Sequence, residues 1–123
     1  MMKDQRQKVL IVGLDGATFD VICPLVTAGR MPNVGSLMTT GAHGILRSTI
    51  PPITPTAWTS FMTGVNPGKH GIYDFQRAVP GSHEFRPVPA GQHEYKSIWR
   101  LASEAGKAVV SLDVPFTYPP EVI

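Results

Sequence analysis

The sequence predicts an α/β fold, helices layered on a mostly parallel sheet, and three features point to it. Two continuous apolar runs, KVLIVGL at 8–14 and AVVSLDV at 108–114, have the texture of strands buried on both faces. Each is closed by an aspartate, Asp15 and Asp113. Segments of helical spacing, opened by proline or a polar residue and shut by glycine, alternate with them.

In chain order, Asp15-Gly16 stops the first strand. FDVICPLVTAG then has helical character, which Pro24 is expected to limit to the first turn or kink. Met31-Pro32-Asn33 opens a second helix through VGSLMTTG, ending at Gly41. HGILRST, 43–49, reads as a short strand. After a proline cluster a third helix begins, with Thr54 where an N-cap belongs and Pro55 at the first helical position. Ala57, Trp58, Phe61 and Met62 fall on one side of it, and Gly64 closes it. Residues 66–95 look irregular, a long loop rich in Gly, Pro and His. KSIWRLASEAG returns to helix, with an apolar stripe of Ile98, Trp99, Leu101, Ala102 and Ala105 and Gly106 just past its end. The second buried strand follows, and the last stretch, PFTYPPEVI, reads as a loop with no element sealing the sheet. The whole chain, 1–123, is therefore expected to be the N-terminal part of a larger domain.

Bulk properties narrow the function. With 123 residues, 42% hydrophobic and 16% charged, the chain can bury a core and is not of disordered composition. Eleven basic and nine acidic side chains give +2 without a run of like charge, so nothing favours nucleic acid or a membrane surface as partner. Cys23 is the single cysteine, so no disulfide closes within the chain. The polar start MMKDQRQK and the short apolar run after it fit neither a signal peptide nor a spanning helix, and a cytoplasmic location is expected.

Two residues stand out for chemistry. Ligands of open parallel sheets collect beyond the carboxyl ends of the strands, where Asp15 lies. It is either a turn residue, as Asp-Gly pairs commonly are, or a carboxylate ligand for a divalent cation. Thr54 is either a helix cap or a hydroxyl presented at a helix N-terminus, where free N–H groups and positive potential favour an anion. A threonine hydroxyl becomes a nucleophile only when a base or metal lowers its pKa, and a cation held by Asp15 would supply that. Thr56 competes with Thr54 for the role. His70, in PGKHGI, suits a loop staple better than a ligand, since no His or Cys partner stands at ligand spacing. His43, His83 and His93 are scattered. Lys69 reads as a solvated charge, and Trp58 and Trp99 as core aromatics.

GLDGATFD loosely resembles two other motifs and lacks the working residue of each. In the dinucleotide fingerprint Asp15 stands where the second glycine must be. In the DxDGT loop of haloacid-dehalogenase-type phosphatases Gly13 stands where the nucleophilic aspartate must be. The order of strand-Asp-Gly, MPNVGSLMTTGAHG, TPTAWTSFMTG and NPGKHGIYDF, with DVPFTYPP more weakly, instead resembles the type I phosphodiesterase/nucleotide pyrophosphatase family of the alkaline phosphatase superfamily.

That resemblance implies an alkaline-phosphatase-like three-layer sandwich and hydrolysis of phosphate mono- or diesters, with a phosphate-ester small molecule as substrate. It implies two divalent metal ions, zinc first and Mn or Mg as alternatives. Asp15 matches a ligand of one metal, and Thr54 matches the nucleophile that binds the same metal and becomes phosphorylated. Where nucleotide pyrophosphatases carry an asparagine three residues after the nucleophile, this chain has Ala57, so its substrate contacts differ. The family's further Asp and His ligands lie downstream of the matched region, so these 123 residues would supply the nucleophile half of a site. The contrasting expectation is a superfamily-like domain without chemistry that binds or assembles, into a homo-oligomer or with another chain, through an open sheet edge.

Overall fold

A computed structural model describes residues 8–91 and 94–123; the polar N-terminus and His93 lie outside the described residues. The chain divides into two compact units, Met1–Ile45 and Leu46–Ile123.

In the first unit, residues 8–14 lead into a β-turn in which the Ala17 N–H reaches the Leu14 carbonyl at 3.4 Å. Gly16 takes φ +68 there, a left-handed value that side chains beyond Cα resist, which accounts for Asp-Gly at the end of the run. Helix α1, Phe19–Thr27, is capped by Thr18, whose hydroxyl accepts from the Asp20 N–H. It continues through Pro24 to Thr27, so of the two expected effects of the proline, an end after one turn or a kink, the first does not occur. The proline costs one intrahelical bond near the middle, and the C-terminus recovers the loss with a Schellman pattern. There Arg30 N–H reaches the Leu25 carbonyl at 2.8 Å, around Gly29 at φ +70. Helix α2, Pro32–Thr40, starts on a proline and ends at Gly41, as the sequence implies. Gly35 lies against Val26, where an added Cβ would come within 2.9 Å of Cγ1, so glycine sets the approach of α2 to α1. His43 closes the unit as a staple: Nδ1 lies 3.0 Å from the Met38 carbonyl, and the ring meets Phe19 edge-on.

The second unit carries helix α3 (Thr54–Thr63), the one-turn helix α4 (Pro67–His70), strands β1 (Gln76–Ala78) and β2 (Phe85–Pro87), and helix α5 (Ile98–Glu104). Helix α3 starts one residue earlier than expected. Its N-cap is Ile53, extended at φ −118 and ψ 155, and Thr54 is already the first helical residue. Its buried face also differs from the expected one: Pro55, Thr56, Thr59 and Met62 point inward, while Phe61 is exposed and meets Trp58 edge-on. Small hydroxyl residues let the helix approach its neighbours closely, and the large rings flank that contact. Gly64, at φ +72, ends the helix as the sequence indicates.

Residues 66–95 are not all irregular. Strands β1 and β2 pair antiparallel, Arg77 opposite Arg86, around a turn with Gly81 at φ +76. Pro80-Gly81 between two runs of extended residues was the available hairpin signal. Helix α5 is capped by Ser97, whose hydroxyl accepts from the Arg100 N–H at 3.1 Å. Its apolar stripe is only partly covered, with Ile98 and Leu101 about half exposed. Glu104 receives Lys96 Nζ at 2.8 Å and Arg100 Nε at 3.1 Å. The Lys96 bond first, then the Arg100 bond, holds the Glu104 carboxyl below the usual carboxylate range.

The β1–β2 hairpin is the sheet found among the described residues. Residues 8–14, 43–49 and 108–114 form no ladder there, and apart from half-buried Thr49, Val109 and Val114 they are exposed, Leu10 at 88% and Val110 at 82%. A parallel strand gains stability only from neighbours on both edges and helices on both faces, so these runs by themselves have nothing to hold them in a sheet.

Candidate functional site

The approach to Thr54 is set by the backbone. The Thr49 hydroxyl donates to the Pro51 carbonyl at 2.9 Å, tying the start of the proline cluster to itself. Ile53 then turns the chain, its carbonyl accepting the first helical bond from Ala57 N–H at 2.9 Å. The N-cap side chain is a hydrocarbon, so α3 has no side-chain cap in the usual sense. Thr54 is half-buried on the first turn. Pro55 has no N–H to offer, so the second helical position costs no unmet donor.

Thr56 is in a different situation. It is fully buried, as is Thr59 one turn on, and among the described residues neither Oγ1 has a hydrogen-bond partner. Other threonines of the chain return their hydroxyls to their own helix, as Thr63 does to the Thr59 carbonyl at 2.6 Å. An unsatisfied buried hydroxyl costs about 1–3 kcal/mol. Thr59→Val keeps the shape and removes the orphaned group, so it is expected to raise stability by about 1 kcal/mol in urea unfolding. A loss of similar size would reveal a partner for the hydroxyl.

Asp15 belongs to the first unit, exposed at the second position of its turn, and Thr54 to the second. Among the described residues no group of three or more His, Cys, Asp or Glu side chains could hold a metal ion. Asp15 and Thr54 are hard oxygen donors of the type divalent cations accept, but two donors fall short of a tetrahedral set.

Of the other candidates, His70 is a staple, as its isolation in the sequence suggested. It is buried, Nε2 lies 2.8 Å from Ser60 Oγ, and Nδ1 accepts the Ile72 N–H at 3.1 Å. His83 and Lys69 are exposed, and Trp58 and Trp99 are half-buried rather than core. Sequence reading missed Ser60, and also a polar cluster at α5. There buried Ser97 donates to the Glu121 carboxylate, whose other oxygen lies 3.6 Å from Arg100. Neither had a signal in the chain, because each depends on a partner 10 or 24 residues away. The cluster borders a cavity of about 250 Å³ with Tyr95 and Trp99 on its wall. Met62 lines it too, and eight residues of helix put Met62 about 12 Å along the axis from Thr54. The cavity is therefore not where the Thr54 hydroxyl is presented.

No helix among the described residues is long and apolar enough to cross a membrane. Comparison with curated proteins and with solved structures gives no match. The sequence model of the family described as type I phosphodiesterase / nucleotide pyrophosphatase matches residues 9–122. Members of that family hydrolyse phosphodiester and pyrophosphate bonds of small phosphate esters and generally use divalent metals. With nearly its whole described length inside that match, Asp15 and the Thr54-led helix included, the chain belongs to the type I phosphodiesterase/nucleotide pyrophosphatase family.

Proposed function

We propose that this chain supplies the nucleophile half of a site that hydrolyses a phosphate mono- or diester, with Thr54 as the nucleophile. The observation that carries this reading is the contrast between two neighbouring threonines: Thr54 heads α3 and is half-buried, whereas the Thr56 hydroxyl is sealed from solvent. Only the former can meet a substrate. In the first step the Thr54 Oγ–phosphorus bond forms as the ester oxygen leaves with the bonding pair and takes up a proton. Water then attacks phosphorus, the Oγ–P bond breaks, and phosphate or a phosphomonoester is released with Thr54 regenerated. The positive end of α3, where Thr54 stands, favours the phosphoryl oxygens.

Asp15 and Thr54 are the residues that would hold one cation, zinc or alternatively Mn or Mg, and a second ion of the same class completes the reading. Such ions supply charge neutralisation and a lowered hydroxyl pKa. The remaining ligands come from outside the described residues, consistent with a three-layer alkaline-phosphatase-like domain of which this chain is the N-terminal part. The exposed apolar runs 8–14 and 108–114 suit strands of that sheet.

Removal of metal tests this directly. Turnover of bis(p-nitrophenyl) phosphate is expected to vanish in chelator and return with zinc. Asp15→Asn is expected to raise the zinc concentration needed for half-activity at least about tenfold. Turnover indifferent to chelator would remove the metal from the mechanism.

The same exposed runs favour a second reading, a non-catalytic module that pairs through its strand edges. A folded monomer on gel filtration that takes up no zinc and turns over no ester would support a self-sufficient binding domain instead.

A further inference from the structure

Ser60 and His70 sit at the distance of a nucleophile and its base, and the hydrogen bonds decide against that role. Nδ1 of His70 accepts the Ile72 N–H at 3.1 Å, so in the neutral ring the proton is on Nε2. Nε2–H therefore donates to Ser60 Oγ at 2.8 Å, and the nitrogen facing the hydroxyl cannot also take its proton. What the pair does is tie two elements together. Ser60 is on α3, and His70 ends α4 just before Gly71, whose φ of +71 turns the chain so that the Ile72 amide faces the ring.

We propose that His70 is a positioning residue, which through Ser60 fixes the rotation of α3 and with it the direction in which Thr54 is presented. This rests on the reading of Thr54 as nucleophile. The buried face of α3 is held by Pro55, Thr56, Thr59 and Met62, and the two threonine hydroxyls there make no hydrogen bond among the described residues. Packing of that kind is non-directional and lets a helix slide or turn. A hydrogen bond from a ring that is itself buried and anchored to backbone does not. Ser60 is six residues from Thr54, about 9 Å along a short rigid helix, so a rotation at one end reaches the other. Errors of about 1 Å in the placement of a reacting atom cost on the order of a hundredfold in rate.

Ser60→Ala and His70→Gln in the zinc-loaded protein test this with two readouts. With bis(p-nitrophenyl) phosphate, kcat per active site, counted from the burst of p-nitrophenol, is expected to fall about 10- to 100-fold with KM and zinc content unchanged. Ser60→Thr, which keeps the hydroxyl, is expected to restore it. Hydrogen exchange gives the second readout. The amides of α3 are expected to exchange about tenfold faster in Ser60→Ala while those of α5 do not change. Equal acceleration in both helices, unaltered exchange in α3, or an unchanged kcat in an active protein would overturn the proposal. If the wild type turns over no ester, the phosphohydrolase reading fails, and the exchange result still decides whether the tie orders α3.

Discussion

Thr54→Ala is expected to lower kcat for phosphate-ester hydrolysis by about 10³-fold or more, measured at saturating zinc. The size follows from what the substitution removes. Without the Oγ there is no atom to form the bond to phosphorus, and the neighbour best placed in sequence cannot substitute, because Thr56 is fully buried. Rotating it outward would expose the packed face of α3 that also carries Thr59 and Met62. Thr54→Ser keeps the oxygen and loses only a methyl group, so it is expected to retain activity within about tenfold. Quenching wild-type turnover and digesting the protein should recover phosphate on the peptide containing Thr54. Full turnover by Thr54→Ala, or label on another residue, would remove Thr54 as the nucleophile.

The helices were legible because their ends carry local signals. Pro32 and Gly41 bound α2, Gly64 closes α3, and Ser97 with Gly106 brackets α5. Capping and left-handed glycine are decided by one or two residues, and such residues can be read without knowing the fold. The face a helix buries is decided by its neighbours. Counting apolar residues on α3 put Trp58 and Phe61 inside, yet the structure buries Thr56 and Thr59. Thr54 fell one position from its expected place for a related reason: an isoleucine with extended backbone does the capping, and no side-chain rule selects it. The hairpin was missed because β1 and β2 have three residues each and no alternation of apolar and polar faces. Asp15 and Thr54 stand out for chemistry from an expected strand end and a helix start, and Thr54 does head α3. Ser60 was not, since a serine inside a helix means nothing until His70 is seen beside it.

Ile72→Ala is expected to cost about 2–5 kcal/mol in urea unfolding of the second unit. Ile72 is 2% exposed and, among the described residues, shares the apolar core with only Met62 and Ala90. Little else there can collapse into the space, which places the cost toward the upper end for a truncation of this kind. Its amide also anchors His70, so movement of the backbone at 72 would loosen the tie to Ser60 as well. Ile72→Val, which keeps most of the volume and the same backbone preference, is expected to cost about 0.5–1.5 kcal/mol. Leu10→Ala supplies the contrast. At 88% exposure it removes almost no buried surface, and a change within about 0.5 kcal/mol is expected. The comparison bears on the architecture as well as the core. In a three-layer sandwich with KVLIVGL as a buried strand, Leu10→Ala would cost as much as Ile72→Ala, because both would then empty a filled site. Equal losses would place the first strand in a sheet in the working protein, and a neutral Leu10→Ala beside a costly Ile72→Ala would confine the folded core to the second unit.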